Sequence, residues 1–160
     1  MVISVRPRSR NSGFTIVEVM VVIAIIAIMA AFAAPAMNSL IRTQKIRSAA
    51  YDVFGDLTYA RSEAIARGHD VQMASLSGTN WALGWGVRDL TTGEVLRKGS
   101  AASSGVTFTA DQSTLTFDRN GRTTTVSFLI QPAESAPDDQ KRCIRITPSG
   151  RPNSTTGVCQ

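Results

Sequence analysis

A charge-free apolar run at residues 19–37 constrains the fold of this chain more than any other feature. The run belongs to a segment from Phe14 to Met37 whose only charged side chain is Glu18. As an α-helix this segment would be about 36 Å long, enough to cross a hydrocarbon core of about 30 Å. The 160 residues also carry 17 Lys and Arg against 12 Asp and Glu. Hydrophobicity and charge are therefore segregated, which excludes both a uniformly soluble domain and a polytopic membrane protein.

Glu18 lies just inside the apolar segment, where a carboxylate is unfavourable unless it has a partner. The residues before the segment are basic, which also fits a secretory signal peptide, but the apolar run is longer than such peptides usually have. Cleavage after Gly13 would create an α-ammonium at Phe14, one helical turn from Glu18. In an array of parallel helices, the carboxylate of one subunit can then neutralise the ammonium of the next.

The motif that carries these features is Gly13-Phe14-Thr15-Ile16-Val17-Glu18, which follows a short basic leader and precedes the apolar run. It resembles the type III signal of type IV prepilins and type II secretion pseudopilins. The resemblance implies that a prepilin peptidase cleaves between Gly13 and Phe14 and that Phe14 is then N-methylated. It also implies that Glu18 is needed for assembly with other pilins or pseudopilins in a filament or tip complex.

The topology follows from the resemblance, because three basic side chains lie on each side of the apolar segment and leave orientation open. The expected location is the bacterial inner membrane, which the chain crosses once, with the leader cytoplasmic and the head periplasmic. The expected organisation is a cleaved leader at 1–13, a transmembrane and assembly segment at 14–41, and a periplasmic head at 42–160. The head comprises a helix at 42–67 and β-sheets within 70–160.

The helical pattern continues beyond the apolar segment, with apolar residues at spacings of three and four up to Ile65. A basic last turn at Arg67 followed by Gly68 predicts the end of the helix. One helix over about 14–67 is expected, with a kink at Pro35. Its end, the segment LTYARSEAIAR at 57–67, resembles the FimT and pseudopilin-H branch of the family, with Arg61 and Glu63 expected to face solvent.

The remainder of the head has a period of two, which indicates β-strands. Alternation predicts one apolar face for Trp81, Leu83, Trp85 and Val87, in a stretch that also resembles the FimT and pseudopilin-H branch. Asn120-Gly121 predicts a hairpin joining 113–119 to 122–130. We expect six or seven strands in all. The predicted fold is therefore α+β, the pilin fold that the resemblance implies, with the long N-terminal helix packed on antiparallel β-sheets.

Residues with catalytic potential are few. One histidine and two cysteines cannot fill a tetrahedral zinc site. His69 follows the helix-ending glycine and is expected to be a solvated turn residue. Neither a nucleophile elbow nor a phosphate-binding glycine loop is present. We therefore predict no enzyme activity, no cofactor and no metal.

The two cysteines, Cys143 and Cys159, lie near the C-terminus. They could form one disulfide in an oxidising compartment or remain free thiols. The export signal favours the disulfide, which would hold a tail rich in Ser and Thr against the head.

A basic segment at 141–151 supports an alternative function, a minor pilin that binds DNA for uptake. Its cations are Lys141, Arg142, Arg145 and Arg151, and it contains no acid. Such a stripe could neutralise phosphates without reading sequence. Some FimT proteins that this chain resembles bind DNA through a Gly-Arg-x-Arg motif, but Asn153 stands here at the second arginine. The other interpretation is a solvated stripe on an edge strand. A structural role remains the primary hypothesis, in either a type IV pilus or a type II secretion system.

Overall fold

The computed structural model describes residues 13–160. The leader residues 1–12 lie outside the described residues, and so do the side chains at 33–36, on which the predicted kink at Pro35 depends. The chain divides into two units, one that ends at Ser39 and one that spans Leu40–Gln160. The predicted boundary at residue 41 stays a prediction.

Helix α1 spans Ile16–Arg67. It begins two residues later than predicted because Thr15 caps it instead of joining it. It ends as predicted, at a glycine in the left-handed region. Gly68 has φ 67° and donates its N–H to the carbonyl of Ala64 at 3.0 Å.

The apolar side chains of the N-terminal unit are exposed over its described residues. In the described part of the chain no single helix is long and apolar enough to be a membrane span. The segments Ile16–Phe32 and Met37–Arg67 meet that requirement together, by length and composition.

The described head contains two four-stranded antiparallel sheets. The strands are β1 (Val71–Ser75), β2 (Trp85–Asp89), β3 (Val95–Gly99), β4 (Val106–Ala110), β5 (Thr114–Phe117), β6 (Val126–Pro132), β7 (Arg142–Ile146) and β8 (Pro152–Thr156). The first sheet has the order β3-β2-β1-β5 and the second β4-β6-β7-β8. The expectation of antiparallel sheets is confirmed, with more strands than predicted because β8 is too polar to show an apolar alternation.

The core lies between the helix and the two sheets. The helix contributes a stripe of buried residues that includes Ile46, Val53 and Leu57, at the spacing of one helix face. Trp81 packs edge-on against Phe128, with ring centroids 5.0 Å apart. All the buried apolar side chains of the described residues lie between Ile46 and Ile146. A fragment from Leu40 onward therefore keeps the whole core, and we expect it to fold as a unit.

The predicted hairpin at Asn120-Gly121 is wrong, although the turn itself is present. Strand β5 before the turn pairs with β1, whereas β6 after it pairs with β4 and β7. The turn therefore carries the chain from one sheet to the other. Gly121 has a positive φ but Asn120 does not, so the turn is not the type I′ form that continues a two-stranded ladder.

The predicted apolar alternation is wrong at Leu83. Residues Trp81–Leu83 form a 3-10 turn, which places Trp81 in the core and leaves Leu83 exposed. The Asn80 side chain caps this turn by accepting a hydrogen bond from the N–H of Ala82 at 3.1 Å. From Trp85 onward β2 alternates as predicted, with Trp85 and Val87 buried.

Candidate functional site

The predicted processing site lies immediately before the helix. Gly13, Phe14 and Thr15 are outside any secondary structure, and the Phe14 side chain is 83% exposed. The peptide bond between Gly13 and Phe14 can therefore be reached without unwinding α1. Its use by a peptidase stays a prediction.

Thr15 acts as the N-cap of α1, a role that the sequence analysis missed. Its Oγ1 accepts a hydrogen bond from the backbone N–H of Glu18 at 3.2 Å, and its carbonyl accepts one from Val19 at 3.3 Å. The spacing Thr-x-x-Glu is that of a capping box, the signal that could have located this helix start. Glu18 is consequently fixed in the first turn, where a carboxylate interacts favourably with the positive end of the helix dipole.

A buried carboxylate connects the helix to the first sheet. Asp56 on α1 accepts a hydrogen bond from the indole N–H of Trp85 at 2.8 Å and pairs with Arg97 on β3 at 3.0 Å. The Arg97 guanidinium also lies 4.9 Å from the centre of the Tyr59 ring. One acid thus holds α1 against β2 and β3.

The end of the helix is held by a charged network. Arg67 donates hydrogen bonds to Glu63 and to Glu94, each at 2.7 Å. These two carboxylates raise the pKa of Arg67 above its usual range, so it remains a cation. The expectation that Glu63 simply faces solvent is incomplete, because Glu63 pairs with Arg67 one turn later on α1. Arg67 in turn joins α1 to Glu94, which precedes β3.

Asp89 is fully buried at the end of β2 beside this network. Its Oδ1 accepts hydrogen bonds from the backbone N–H groups of Thr92 at 3.0 Å and Thr91 at 2.8 Å. Its Oδ2 lies 3.1 Å from Nδ1 of His69. The Thr92 N–H, followed by the contacts of His69 and Thr91, lowers the pKa of Asp89 to about 2, against the opposing effect of burial. His69 is therefore not the freely solvated turn residue that we expected.

The four cations considered for DNA binding are not gathered on one surface. Arg142 and Arg145 lie at positions of opposite parity on β7 and so on opposite faces of the sheet. Arg145 is exposed on the face away from the buried Ile144, as the alternation predicted. Lys141 pairs with Asp138 at 3.0 Å. Arg151 is exposed in the turn between β7 and β8.

Packing explains why position 150 is a glycine. This residue belongs to the Gly-Arg sequence that resembles the DNA-binding motif. It has φ 73°, and a Cβ there would overlap the carbonyl oxygen of Gly121. Arg61 donates a hydrogen bond to the same oxygen at 3.1 Å. The turn after β7 therefore packs on the turn after β5, and Arg61 of the helix binds there instead of facing solvent.

Cys143 on β7 and Cys159 form a disulfide. Cys143 is buried on the outer side of the second sheet, and the bond joins the residues beyond β8 to β7. Among the described residues no cluster of three or more His, Cys, Asp or Glu side chains is placed to hold a metal ion.

An N-terminal helix that follows an exposed Gly-Phe bond and packs its second half on antiparallel sheets defines the type IV pilin class of filament subunits. Within that class, this chain belongs to the family described as type II transport protein GspH, whose model matches residues 49–150. The model of the prokaryotic N-terminal methylation motif matches residues 8–34. The chain is accordingly a minor pilin or pseudopilin, and the resemblance found in the sequence is confirmed.

Two solved structures are similar to this chain. The crystal structure of the type IV minor pilin FimU of Pseudomonas aeruginosa is similar with a TM-score of 0.60 and 27% identity, over 69% of this chain and 87% of that one. The minor pseudopilin EpsH of the type 2 secretion system of Vibrio cholerae shares the fold, with a TM-score of 0.57 and 15% identity. That match covers 70% of this chain and 97% of EpsH. No curated protein sequence matches the chain significantly.

These relatives are structural subunits, and the predicted α+β pilin fold is confirmed. The absence of enzyme activity stays a prediction. The methylation motif and the N-terminal helix together indicate a membrane-anchored protein.

Proposed function

We propose that this chain is made as a prepilin, cleaved between Gly13 and Phe14, methylated at Phe14 and built into a filament or tip complex from the inner membrane. It crosses that membrane once, with the leader in the cytoplasm and the head in the periplasm. The observation that carries the proposal is the exposed, non-helical Gly13–Phe14 bond placed directly before the N-cap of an apolar helix.

Cleavage at this bond creates an electrostatic problem that Glu18 can solve. The new ammonium at Phe14 would lie at the positive end of the dipole of α1, where a cation is unfavourable. In apolar surroundings neither the ammonium nor the Glu18 carboxylate is stable without a counter-charge. Pairing of Glu18 with the ammonium of a neighbouring subunit neutralises both groups, and this pairing favours the assembled state.

The partners that follow are a prepilin peptidase and other pilins or pseudopilins. The DNA-binding alternative gains no support. Arg142 and Arg145 lie on opposite faces of their sheet, Lys141 is paired with Asp138, and packing accounts for Gly150.

The experiment that tests this proposal compares Glu18→Ala and Glu18→Asp in cells that make the whole filament system. Glu18→Ala should be cleaved normally but fail to crosslink to other subunits, because the peptide bond is intact and only the counter-charge is missing. Glu18→Asp should regain part of the crosslinking. Asp52→Ala is the matched control, since it removes an exposed acid from the same helix. Normal crosslinking of the Glu18→Ala variant would contradict the charge-pairing account.

A further inference from the structure

A groove of about 510 Å³ lies in the head between α1 and strand β8. Its helix wall is one face of α1, with residues spaced by three and four positions. Its other wall comes from β7 and β8. The lining side chains used below are Arg47, Tyr51 and Phe54 of α1, Arg142 of β7, and Asn153 and Ser154 of β8.

The charge of the groove favours an anionic occupant. Arg47 is exposed and takes part in no ion pair among the described residues, while Arg142 is half-buried and donates a hydrogen bond to Thr156. None of the described residues that line the groove is acidic. Two guanidinium groups without a counter-charge in the described part of the chain provide planar donors that match a carboxylate.

The helix wall also offers aromatic surface. Tyr51 is 75% exposed, and Phe54, one turn later on the same face, is half-buried. Tyr and Arg are, with Trp, the residue types most enriched at the energetic centres of protein interfaces, because they combine a large contact area with a polar end. Phe54 packs against the hydrophobic core of the head, whereas Tyr51 is not among the described side chains that pack there.

The strand wall offers backbone groups. Strand β8 is the last of its sheet and pairs only with β7, so its other edge is unpaired within the described residues. An extended peptide can add to such an edge through main-chain hydrogen bonds. A nucleic acid has no backbone amides with which to form such a ladder, and this favours a peptide over a polynucleotide.

We propose that the groove binds an extended acidic segment of a neighbouring subunit, with its carboxylates on Arg47 and Arg142 and its apolar side chains on Tyr51. The inference deepens the proposed function, on which it rests for the identity of the partner. Binding is measured on the purified chain without any filament, so a lack of peptide binding would not contradict the proposed filament assembly. A negative result in the Glu18 experiment would likewise not contradict peptide binding in this groove.

The test measures fluorescence anisotropy with the full chain in detergent micelles and a short labelled peptide of the pattern Glu-Thr-Val-Thr-Glu. In an extended strand this pattern puts the Glu and Val side chains on the same face, toward Arg47 and Tyr51. Arg47→Gln should weaken binding about three- to fivefold, the size of one partly exposed ion pair. Tyr51→Ala should weaken it about five- to tenfold, as loss of an aromatic contact does. Both side chains are exposed, so neither change should prevent folding.

The matched control is Arg119→Gln, which removes an exposed cation elsewhere on the head and should leave binding unchanged. A peptide with Gln in place of Glu should bind at least about tenfold more weakly. Equal loss in Arg119→Gln, or equal binding of the Gln peptide, would overturn the proposal. It would also be overturned if a thymidine oligonucleotide of the same charge bound more tightly than the Glu peptide and lost affinity in Arg47→Gln.

Discussion

The indole N–H of Trp85 donates a 2.8 Å hydrogen bond to the buried carboxylate of Asp56 and so joins strand β2 to helix α1. The other oxygen of Asp56 binds Arg97. Both acceptor oxygens are therefore used, and the helix cannot slide along the sheet without breaking charge-assisted bonds.

Asp56→Ala in the fragment from Leu40 onward should lower the free energy of unfolding by about 1–3 kcal/mol, because the Trp85 N–H remains buried without an acceptor. Urea unfolding followed by tryptophan fluorescence measures the loss. Asp52→Ala, four residues earlier and exposed, should change stability by less than about 0.5 kcal/mol. Equal losses in the two variants would show that the bond to Trp85 contributes nothing.

Asp89 should make the head sensitive to acid. Its pKa is about 2 in the folded state against an ordinary 3.8, so folding favours the carboxylate. The stabilisation is complete above about pH 5 and declines as the pH falls from there toward 2. Urea unfolding at a series of pH values should show this decline in the native head. Asp89→Asn should be less stable at neutral pH and show a shallower decline. If the free energy of unfolding of this variant falls with pH as steeply as that of the native head, other groups cause the acid sensitivity.

Gly150→Ala should destabilise the head by about 2 kcal/mol or more, because φ is 73° and the new Cβ meets the Gly121 carbonyl. Gly93→Ala is the matched control. Gly93 has φ 75°, and no atom lies within 4 Å of the position that a new Cβ would take. This variant should therefore lose only the free energy of holding Ala at a positive φ, about 1 kcal/mol. The difference between the two variants isolates the contact between the turns. If both lose the same stability, the close packing of Gly150 on Gly121 is unimportant.

Reduction of the disulfide should lower the free energy of unfolding by about 3 kcal/mol, the value expected for closing a loop of this length. Cys143→Ser with Cys159→Ser should show the same loss. Dithiothreitol should lower the unfolding midpoint of the native head and leave the double variant unchanged. A midpoint that does not respond to reductant would mean that the bond does not stabilise the fold.

The helix and the class of protein were predictable because their signals are local. The Gly13–Glu18 motif, the apolar run and the stop at Arg67-Gly68 each depend on neighbouring residues, and the helix end was correct. The pairing of β5 and β6 was not predictable, since Asn120-Gly121 specifies a turn but not whether the two strands remain partners. The partner of β5 is instead β1, which is distant from β5 in the sequence, so a local turn signal cannot reveal the pairing.

The polar contacts of the head were missed for the same reason. Asp89 and His69 are twenty positions apart, and only the packing of β2 beside the helix end brings their side chains to 3.1 Å. Asp56 and Trp85 likewise meet through tertiary structure. The Thr15 cap, in contrast, lies within one helical turn, and the Thr-x-x-Glu spacing would have revealed it.

The most direct test of the account is the N-terminus of the protein extracted from membranes of its native host, determined by intact mass and N-terminal sequencing. The account predicts a chain that begins at Phe14 and carries one added methyl group. A chain that begins at Met1, or one cleaved within residues 31–37 as a secretory signal peptide would be, would contradict it.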